Sequence, residues 1–146
     1  MLDNISKLLT GDMLKVLCDM GHGETVVIAD ANFPADSVSH NVLRCPGMNV
    51  SDVLSAISPL FPIDVDYTEF PATVMELTDG DKARGMARPE AWADYERIFR
   101  ERYLELSLGC VSREKFYELS SRANAVFVTG EDRLYGNILL TKGCVL

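Results

Sequence analysis

Five consecutive residues, Thr25–Ala29, constrain the fold of this chain most strongly, because they form an unbroken run of β-branched and small apolar residues. A strand with one exposed face would alternate apolar and polar residues, whereas an unbroken run is typical of a strand buried on both faces. Burial on both faces requires layers above and below the sheet. We therefore expect a mostly parallel central sheet flanked by helices.

Helix and strand patterns alternate along the whole chain. The predicted helices run from residue 11 to about 20 after a Thr10 cap, from a Ser51 cap to an end at Pro62, from Pro89 to about Leu106, and from a Ser112 cap to about Arg122. The other predicted strands are residues 42–43, residues 72–77, Ala125–Thr129 and Ile138–Thr141, the last two lying around a turn that starts at Gly130. This alternation predicts fold class α/β, with residues 1–146 in a single domain.

Two further segments have a simple structural interpretation. The polar residues 79–88 are expected to form a surface loop whose charges are solvated. The aromatic stripe of the next helix, which includes Trp92, Tyr95 and Tyr103, is expected to lie in the core or in a subunit interface rather than to hold a cofactor.

The chain carries a formal net charge of −8. Its electrostatic field therefore repels phosphate backbones and anionic lipids, so neither nucleic acid nor a membrane is expected as a partner. No apolar run approaches the roughly 20 residues that a membrane-spanning helix needs. The N-terminal residues also lack the pattern of a secretory leader. We expect a cytoplasmic protein.

Cysteine and histidine are too few and too scattered to predict a structural metal site. The chain has four cysteines without a C-x-x-C pair and two histidines, His22 and His40. We therefore expect no metal, and we interpret the cysteines as incidental residues of a reducing compartment.

The residues Gly21, His22 and Gly23 form the first candidate site. The flanking glycines let the backbone bend sharply, and a histidine can give or take a proton near neutral pH. The next strand leads to Asp30 at its carboxyl end, where ligands of open α/β sheets bind. Two simpler interpretations stay open: His22 caps the preceding helix or bonds locally, and Asp30 caps the next loop through an Asx turn.

Several common site signatures are missing from the sequence. It contains no G-x-x-x-x-G-K-[ST] loop for nucleotide phosphates, no third glycine of a dinucleotide fingerprint after Gly23, and no G-x-S-x-G elbow. The turn before the last strand brings a hydroxyl, Tyr135, and an amide, Asn137, to a strand start, although such residues are common in turns. No organic cofactor is expected.

Four short segments in order resemble the fucose mutarotase and ribose pyranase family. They read MGHGE at residues 20–24, ADANFPA at 29–35, VTGE at 128–131 and LYGNI at 134–138. The likeness spans nearly the whole chain. Within the family, the stretch DANFP and Arg113 look like the fucose branch, since the ribose branch usually carries a different loop after the aspartate and a histidine in place of Arg113.

The resemblance implies a role for each matching residue. The implied catalytic residues are His22, as proton donor, and Asp64, which matches a position implicated in animal fucose mutarotases. The residues implied to hold the sugar are Asp30, Arg113, Tyr117, Tyr135 and Asn137. These residue types fit the chemistry, because opening a hemiacetal requires one group to protonate the ring oxygen while another removes the anomeric proton.

The implied activity is exchange between the α and β anomers of a free sugar, L-fucose above all, without metal or organic cofactor. D-ribose pyranase, mutarotase for another monosaccharide and a non-catalytic sugar-binding accessory protein remain alternatives. The family also implies a ring-shaped homo-oligomer, often a decamer, in which neighbouring subunits complete each site. Residues 79–88 and the longer segment after Asp64 depart from the bacterial pattern.

Overall fold

The computed structural model describes residues 2–146 and contains one six-stranded sheet with helices around it. The helices are α1 (Gly11–Asp19), α2 (Ala35–Val38), α3 (Val50–Ile57), α4 (Asp79–Ala83), α5 (Glu90–Arg100) and α6 (Arg113–Ser121). The strands are β1 (Thr25–Ala29), β2 (Val42–Cys45), β3 (Ala72–Met75), β4 (Gly109–Val111), β5 (Ala125–Thr129) and β6 (Ile138–Thr141). Among the described residues, no helix is both long enough and apolar enough to span a bilayer.

The strand order is β2-β5-β1-β6-β3-β4. Strand β5 pairs in parallel with both β1 and β2, and β3 pairs in parallel with β4. Strand β6 lies between β1 and β3 and is antiparallel to both. Within the described sheet, β6 alone runs against the other strands, so the predicted α/β fold with a mostly parallel sheet is confirmed.

The strand predicted from the unbroken apolar run is β1, and its bounds are the predicted ones. Residues Val26, Val27, Ile28 and Ala29 are all 0% exposed. Helix α3 packs against β1, and α5 packs on α3. The centre of the sheet is therefore the best-buried part of the chain, as expected of a strand with layers on both sides.

Two predicted helix caps are also confirmed. Thr10 Oγ1 accepts a hydrogen bond from the Met13 N–H at 3.2 Å at the start of α1. Ser112 Oγ accepts one from the Lys115 N–H at 3.2 Å at the start of α6. Each hydroxyl satisfies a backbone donor that has no partner inside its helix.

The prediction for α3 was wrong at both ends. The cap is Asn49 rather than Ser51: Asn49 Oδ1 accepts from the Asp52 N–H at 2.8 Å, and Asp52 Oδ2 accepts from the Asn49 N–H at 2.9 Å. This reciprocal capping box satisfies two backbone donors, which a Ser51 cap would not. The helix ends at Ile57 rather than near Pro62, because a turn closes there with the Leu60 N–H donating to the Ile57 carbonyl at 2.8 Å.

Other differences concern short elements. The expected loop at residues 79–88 begins with α4, and the helix after Pro89 ends at Arg100 rather than near Leu106. Elements α2 and β4, of four and three residues, were not predicted. Segments this short contain too few residues to show a helical or strand period.

The reversed direction of β6 decides which loops meet. Strands β5 and β6 do not pair with each other, since β1 lies between them. Because β6 runs antiparallel to the other strands, its beginning lies at the same edge of the sheet as the carboxyl ends of β1, β3, β4 and β5. We call this edge the carboxyl edge. The beginning of β1 and the end of β6 share the opposite edge, which we call the amino edge.

Candidate functional site

A cleft of about 350 Å³ opens at the carboxyl edge. Its walls are formed by Asp30, Asn32, Phe33, Met75, Asp81, Arg113, Tyr117, Leu134, Tyr135 and Asn137. All five residues that the sequence resemblance implies in sugar binding, Asp30, Arg113, Tyr117, Tyr135 and Asn137, are therefore brought together. Polar groups that converge beside apolar side chains suit a small ligand with both polar and apolar surface.

Asp30 follows β1 directly and is 6% exposed. Its backbone N–H donates to Asn137 Oδ1 at 2.8 Å, and Asn137 Nδ2 donates to Asp30 Oδ2 at 2.8 Å. Asp30 Oδ1 accepts from the Asn32 N–H at 3.0 Å, which is the Asx turn that the simpler interpretation predicted. Carboxylate oxygens accept more than one hydrogen bond, so this turn leaves Asp30 able to bind a ligand hydroxyl.

The environment of Asp30 favours its neutral form. Burial raises the pKa of this carboxyl above its ordinary value, although hydrogen bonds from Asn32 and Asn137 oppose the shift. A carboxylate with a raised pKa takes a proton more readily, which is the property that a general base needs. Both polar groups of the Asn137 amide bond to Asp30, so Asn137 holds the carboxylate in place.

Tyr135 lies in a turn with an uncommon backbone. Its φ is 61°, in the left-handed region that a bulky residue rarely adopts. Trp92 Nε1 donates to the Tyr135 carbonyl at 3.0 Å, and the Tyr95 hydroxyl donates to the Gly136 carbonyl at 2.7 Å. The aromatic side of α5 thus lies in the core, which was one of the two locations predicted for it. It also supports the cleft, and the sequence interpretation missed this second role.

Asp81 was not among the predicted site residues. Most of its segment is exposed, as expected, but the expectation of a solvated charge was wrong for Asp81 itself. Asp81 Oδ2 accepts from the Tyr135 hydroxyl at 2.5 Å and from Thr78 Oγ1 at 2.8 Å. These hydrogen bonds, that from Tyr135 above all, lower the pKa of Asp81. The spacing of Thr78 and Asp81, that of a capping box, was a sequence signal for a helix here.

Arg113 is the first residue of α6 and its side chain lines the cleft. A cation at a helix N-terminus is unfavourable, because the helix dipole is positive there. Its charge acts on Asp81 across the cleft and lowers the pKa of that carboxyl. Arg113 thus occupies a locally unfavourable position beside a polar cleft. Residues in such positions are typically there to bind a ligand.

The apolar part of the cleft centres on Phe33, whose ring lies 5.7 Å from that of Tyr117 and 6.2 Å from that of Phe116 between ring centroids. Met75 and Leu134 extend this wall. Pro34, which neighbours Phe33 in the sequence, is not among the residues that line the cleft.

His22 and Asp64 meet at the amino edge. His22 Nε2 lies 3.2 Å from Asp64 Oδ1, and Thr68 Oγ1 donates to Asp64 Oδ2 at 2.5 Å. Burial would raise the pKa of Asp64, but the hydrogen bonds from Thr68 and His22 outweigh it and lower the pKa. The interpretation of His22 as a local cap was wrong, because its imidazole contacts a residue far away in the sequence.

The loop that carries His22 is fixed by backbone contacts to the end of β6. The Gly23 N–H donates to the Lys142 carbonyl at 2.8 Å, and the Asp64 N–H donates to the Thr141 carbonyl at 3.1 Å. Gly23 has a φ of 81°, which glycine adopts without strain. The His22 side chain stays 43% exposed while that of Asp64 is 3% exposed, so the pair presents one imidazole edge to the surface.

The two groups of predicted site residues lie at opposite edges of the sheet. At about 3.3 Å per residue, the five residues of β1 hold His22 and Asp30 roughly 16 Å apart. One chain therefore brings His22 to Asp64 but not to the cleft. Among residues 2–146, no group of three or more His, Cys, Asp or Glu side chains is arranged to hold a metal ion.

Comparisons with known proteins agree with this architecture. The chain matches the model of the RbsD / FucU transport protein family over residues 3–145. It is 41% identical to the fucose mutarotase of Homo sapiens over 145 residues, which cover 97% of this chain and 93% of that protein. The crystal structure of the fucose mutarotase in complex with L-fucose from Streptococcus pneumoniae has a TM-score of 0.91 at 36% identity, covering 99% of this chain and 100% of that one. Bacillus subtilis RbsD complexed with D-ribose has a TM-score of 0.70 at 25% identity, covering 100% of each chain.

Asp30→Asn is expected to gain thermal stability relative to the wild type as the pH rises from 3.8 towards neutral, because the amide carries no buried charge. At every pH it loses one hydrogen bond, since its NH2 group replaces an oxygen that accepts from Asn32 or Asn137. The raised pKa of Asp30 means that wild-type stability falls as pH rises through the folded-state value, whereas the variant has no such loss. The stability of the variant relative to the wild type should therefore be lowest when the pH falls below the ordinary value of 3.8. Thermal unfolding of the wild type and the variant across this pH range measures the difference in stability.

Asp66→Asn serves as the control, because Asp66 is exposed and lies outside the cleft. A stability difference that does not change with pH, or that turns against the variant as the pH rises, would show that the ionised Asp30 carboxylate is not disfavoured in the fold.

Proposed function

The chain belongs to the RbsD / FucU transport protein family, and we propose from this membership and from its cleft that it is an isomerase that interconverts the α and β anomers of free L-fucose. The observation that carries the proposal is the convergence of Asp30, Arg113 and Tyr135 on one cleft of about 350 Å³. Proteins named fucose mutarotase resemble the chain over nearly its full length.

Each wall of the cleft suits a part of a deoxy sugar. The Asp30 carboxylate accepts hydrogen bonds from hydroxyl groups, and the Arg113 guanidinium donates several in a fixed geometry. Phe33 and Met75 offer an apolar surface to the methyl group of a 6-deoxy sugar. D-ribose has no such methyl group, and the structure of the ribose-bound relative is also less similar, with a TM-score of 0.70 against 0.91.

The catalytic cycle needs two proton transfers. An acid protonates the ring oxygen, a base removes the proton of the anomeric hydroxyl, and the bond between the anomeric carbon and the ring oxygen breaks. The free aldehyde then recloses from its other face, and both protons return. His22 is the proposed acid and Asp64 orients it: Asp64 occupies Nε2, so Nδ1 remains for proton transfer to the sugar.

A shared site reconciles this chemistry with the separation of His22 and Asp30. We place His22 of one subunit at the cleft of its neighbour, in a homo-oligomer larger than a dimer. The family resemblance implies a ring, often a decamer. The surface around His22 supports a subunit contact, because the ring of Tyr67, 76% exposed, lies 5.2 Å from the imidazole between centroids. Exposed aromatic residues are enriched where subunits meet.

The cytoplasm is the proposed location. All four cysteines are unpaired, which is usual in a reducing compartment.

His22→Ala is expected to lower catalysed anomer exchange by roughly 100- to 10,000-fold, the usual contribution of a general acid. The fold should persist, because the side chain is half-exposed and lies on a turn. Saturation-transfer NMR on L-fucose measures the exchange rate. His40→Ala is the matched control, since His40 is exposed and contacts no part of the cleft. Near-normal exchange by His22→Ala would remove this residue from the mechanism.

Mixing two inactive variants tests whether subunits share a site. His22→Ala chains supply an intact cleft, and Asp30→Ala chains supply an intact histidine. If each site takes one residue from each of two chains, then unfolding and refolding an equal mixture should restore activity to about one site in four. Each variant refolded alone should stay inactive. Without recovery in a mixed oligomer, His22 and Asp30 do not act across a subunit contact.

L-fucose is expected to gain more exchange from added protein than D-ribose does, by roughly 10- to 200-fold, the range for one methyl group in an apolar pocket. NMR at equal concentrations of the two sugars measures the difference. Phe33→Ala should reduce the preference, whereas Phe70→Ala, an exposed phenylalanine outside the cleft, should not. Greater acceleration of anomer exchange in D-ribose would make D-ribose the substrate in place of L-fucose. Sugar binding without any exchange would indicate a sugar-binding accessory protein.

A further inference from the structure

We propose that Asp81 is a positioning residue of the sugar site, which fixes the direction of the Tyr135 hydroxyl so that its oxygen faces the sugar as a hydrogen-bond acceptor. The proposal rests on the proposed function of the cleft. It assigns a role to a residue of α4, the helix at the start of residues 79–88.

The Tyr135 hydroxyl has a limited number of hydrogen-bonding positions. A phenol has one proton to donate and two lone pairs that accept. The proton of Tyr135 goes to Asp81 Oδ2 at 2.5 Å, and one lone pair accepts from the Thr78 N–H at 3.1 Å. Thr78 Oγ1 lies farther away, at 3.5 Å, and its own proton goes to Asp81, so it does not use the other lone pair. One lone pair remains, and Tyr135 lines the cleft. Towards a ligand the phenol can therefore only accept, which suits the hydroxyl group of a sugar.

The Asp81 carboxylate is itself held in place by its neighbours. Thr78 Oγ1 donates to Asp81 Oδ2 at 2.8 Å and accepts from the Asp81 N–H at 3.2 Å. Arg84 Nη1 lies 3.3 Å from the other carboxylate oxygen. The side chain of Asp81 is 20% exposed, whereas that of Asp79 in the same helix is fully exposed. The carboxylate is thus held in one place at the rim of the cleft.

Arg113 has a different role in the cleft from that of Asp81. Arg113 lines the cleft and bears a positive charge near Asp81, so it is able to donate to a sugar while Tyr135 accepts. Without Asp81, the phenol proton would be free to point into the cleft, and donors from Tyr135 and Arg113 would face the same ligand. We expect Asp81 to act on the affinity for the sugar through Tyr135, and not on the proton transfers.

Asp81→Ala should weaken sugar binding by roughly 3- to 10-fold, the value of one neutral hydrogen bond, while the maximum exchange rate stays within about two-fold. Asp81→Asn should recover most of the affinity, because its amide oxygen still accepts from the phenol. Asp79→Ala is the matched control and should bind normally. Calorimetry gives Kd, NMR exchange gives the rate, and thermal unfolding monitors the fold of each variant.

A double-mutant cycle tests whether Asp81 acts on sugar binding through Tyr135. In a Tyr135→Phe background, which has no hydroxyl to orient, Asp81→Ala should change Kd no further. An equal loss in both backgrounds, or no loss in the wild-type background, would overturn the proposal. So would a large fall in the maximum rate at unchanged Kd. The cycle uses whichever of L-fucose and D-ribose the wild-type protein binds, so a ribose-binding result corrects the proposed substrate alone. A wild-type protein that binds neither sugar overturns both proposals.

Discussion

The direction of β6 is the constraint on which both candidate groups of residues depend. Because β6 runs against its neighbours, the turn before it, with Tyr135 and Asn137, lies beside the residue that follows β1. The end of the same strand holds the loop of His22 through Lys142. One reversed strand thus completes the cleft at one edge and the histidine–aspartate pair at the other. A fully parallel sheet would place the beginning of β6 at the amino edge, away from Asp30.

Two buried carboxylates at the carboxyl edge have opposite environments. Glu131 accepts two hydrogen bonds from the Arg133 guanidinium, at 2.8 Å each, and these bonds lower its pKa. Asp30 is bonded to neutral amide groups of Asn32 and Asn137, and burial raises its pKa. Glu131 is therefore held ionised in an ion pair with Arg133 as part of the scaffold, while Asp30 keeps the capacity to exchange a proton. Environments that separate the pKa values of neighbouring acids are a usual feature of acid–base sites.

The sequence predicted the elements whose signal is local. The apolar run of β1 and the caps Thr10 and Ser112 depend on adjacent residues, and each was confirmed. The cap of α3 was misplaced, because Ser51 and Asn49 are both good caps and the reciprocal bond with Asp52 decides between them. The predicted strand between His22 and Asp30 is present, and its length holds the two residues at opposite edges of the sheet. Asp81 was missed, because its partner Tyr135 is 54 residues away.

The turn that holds Tyr135 in a left-handed conformation has a thermodynamic consequence for ligand binding. Trp92 and Tyr95 fix the carbonyl groups of this turn from the buried side of α5, so the turn has its shape before any ligand arrives. The conformational entropy of ordering the turn is lost when the protein folds and not when a ligand binds. Contacts with a small ligand then contribute to affinity without first having to order the backbone, which matters for a molecule with few atoms and little area to bury.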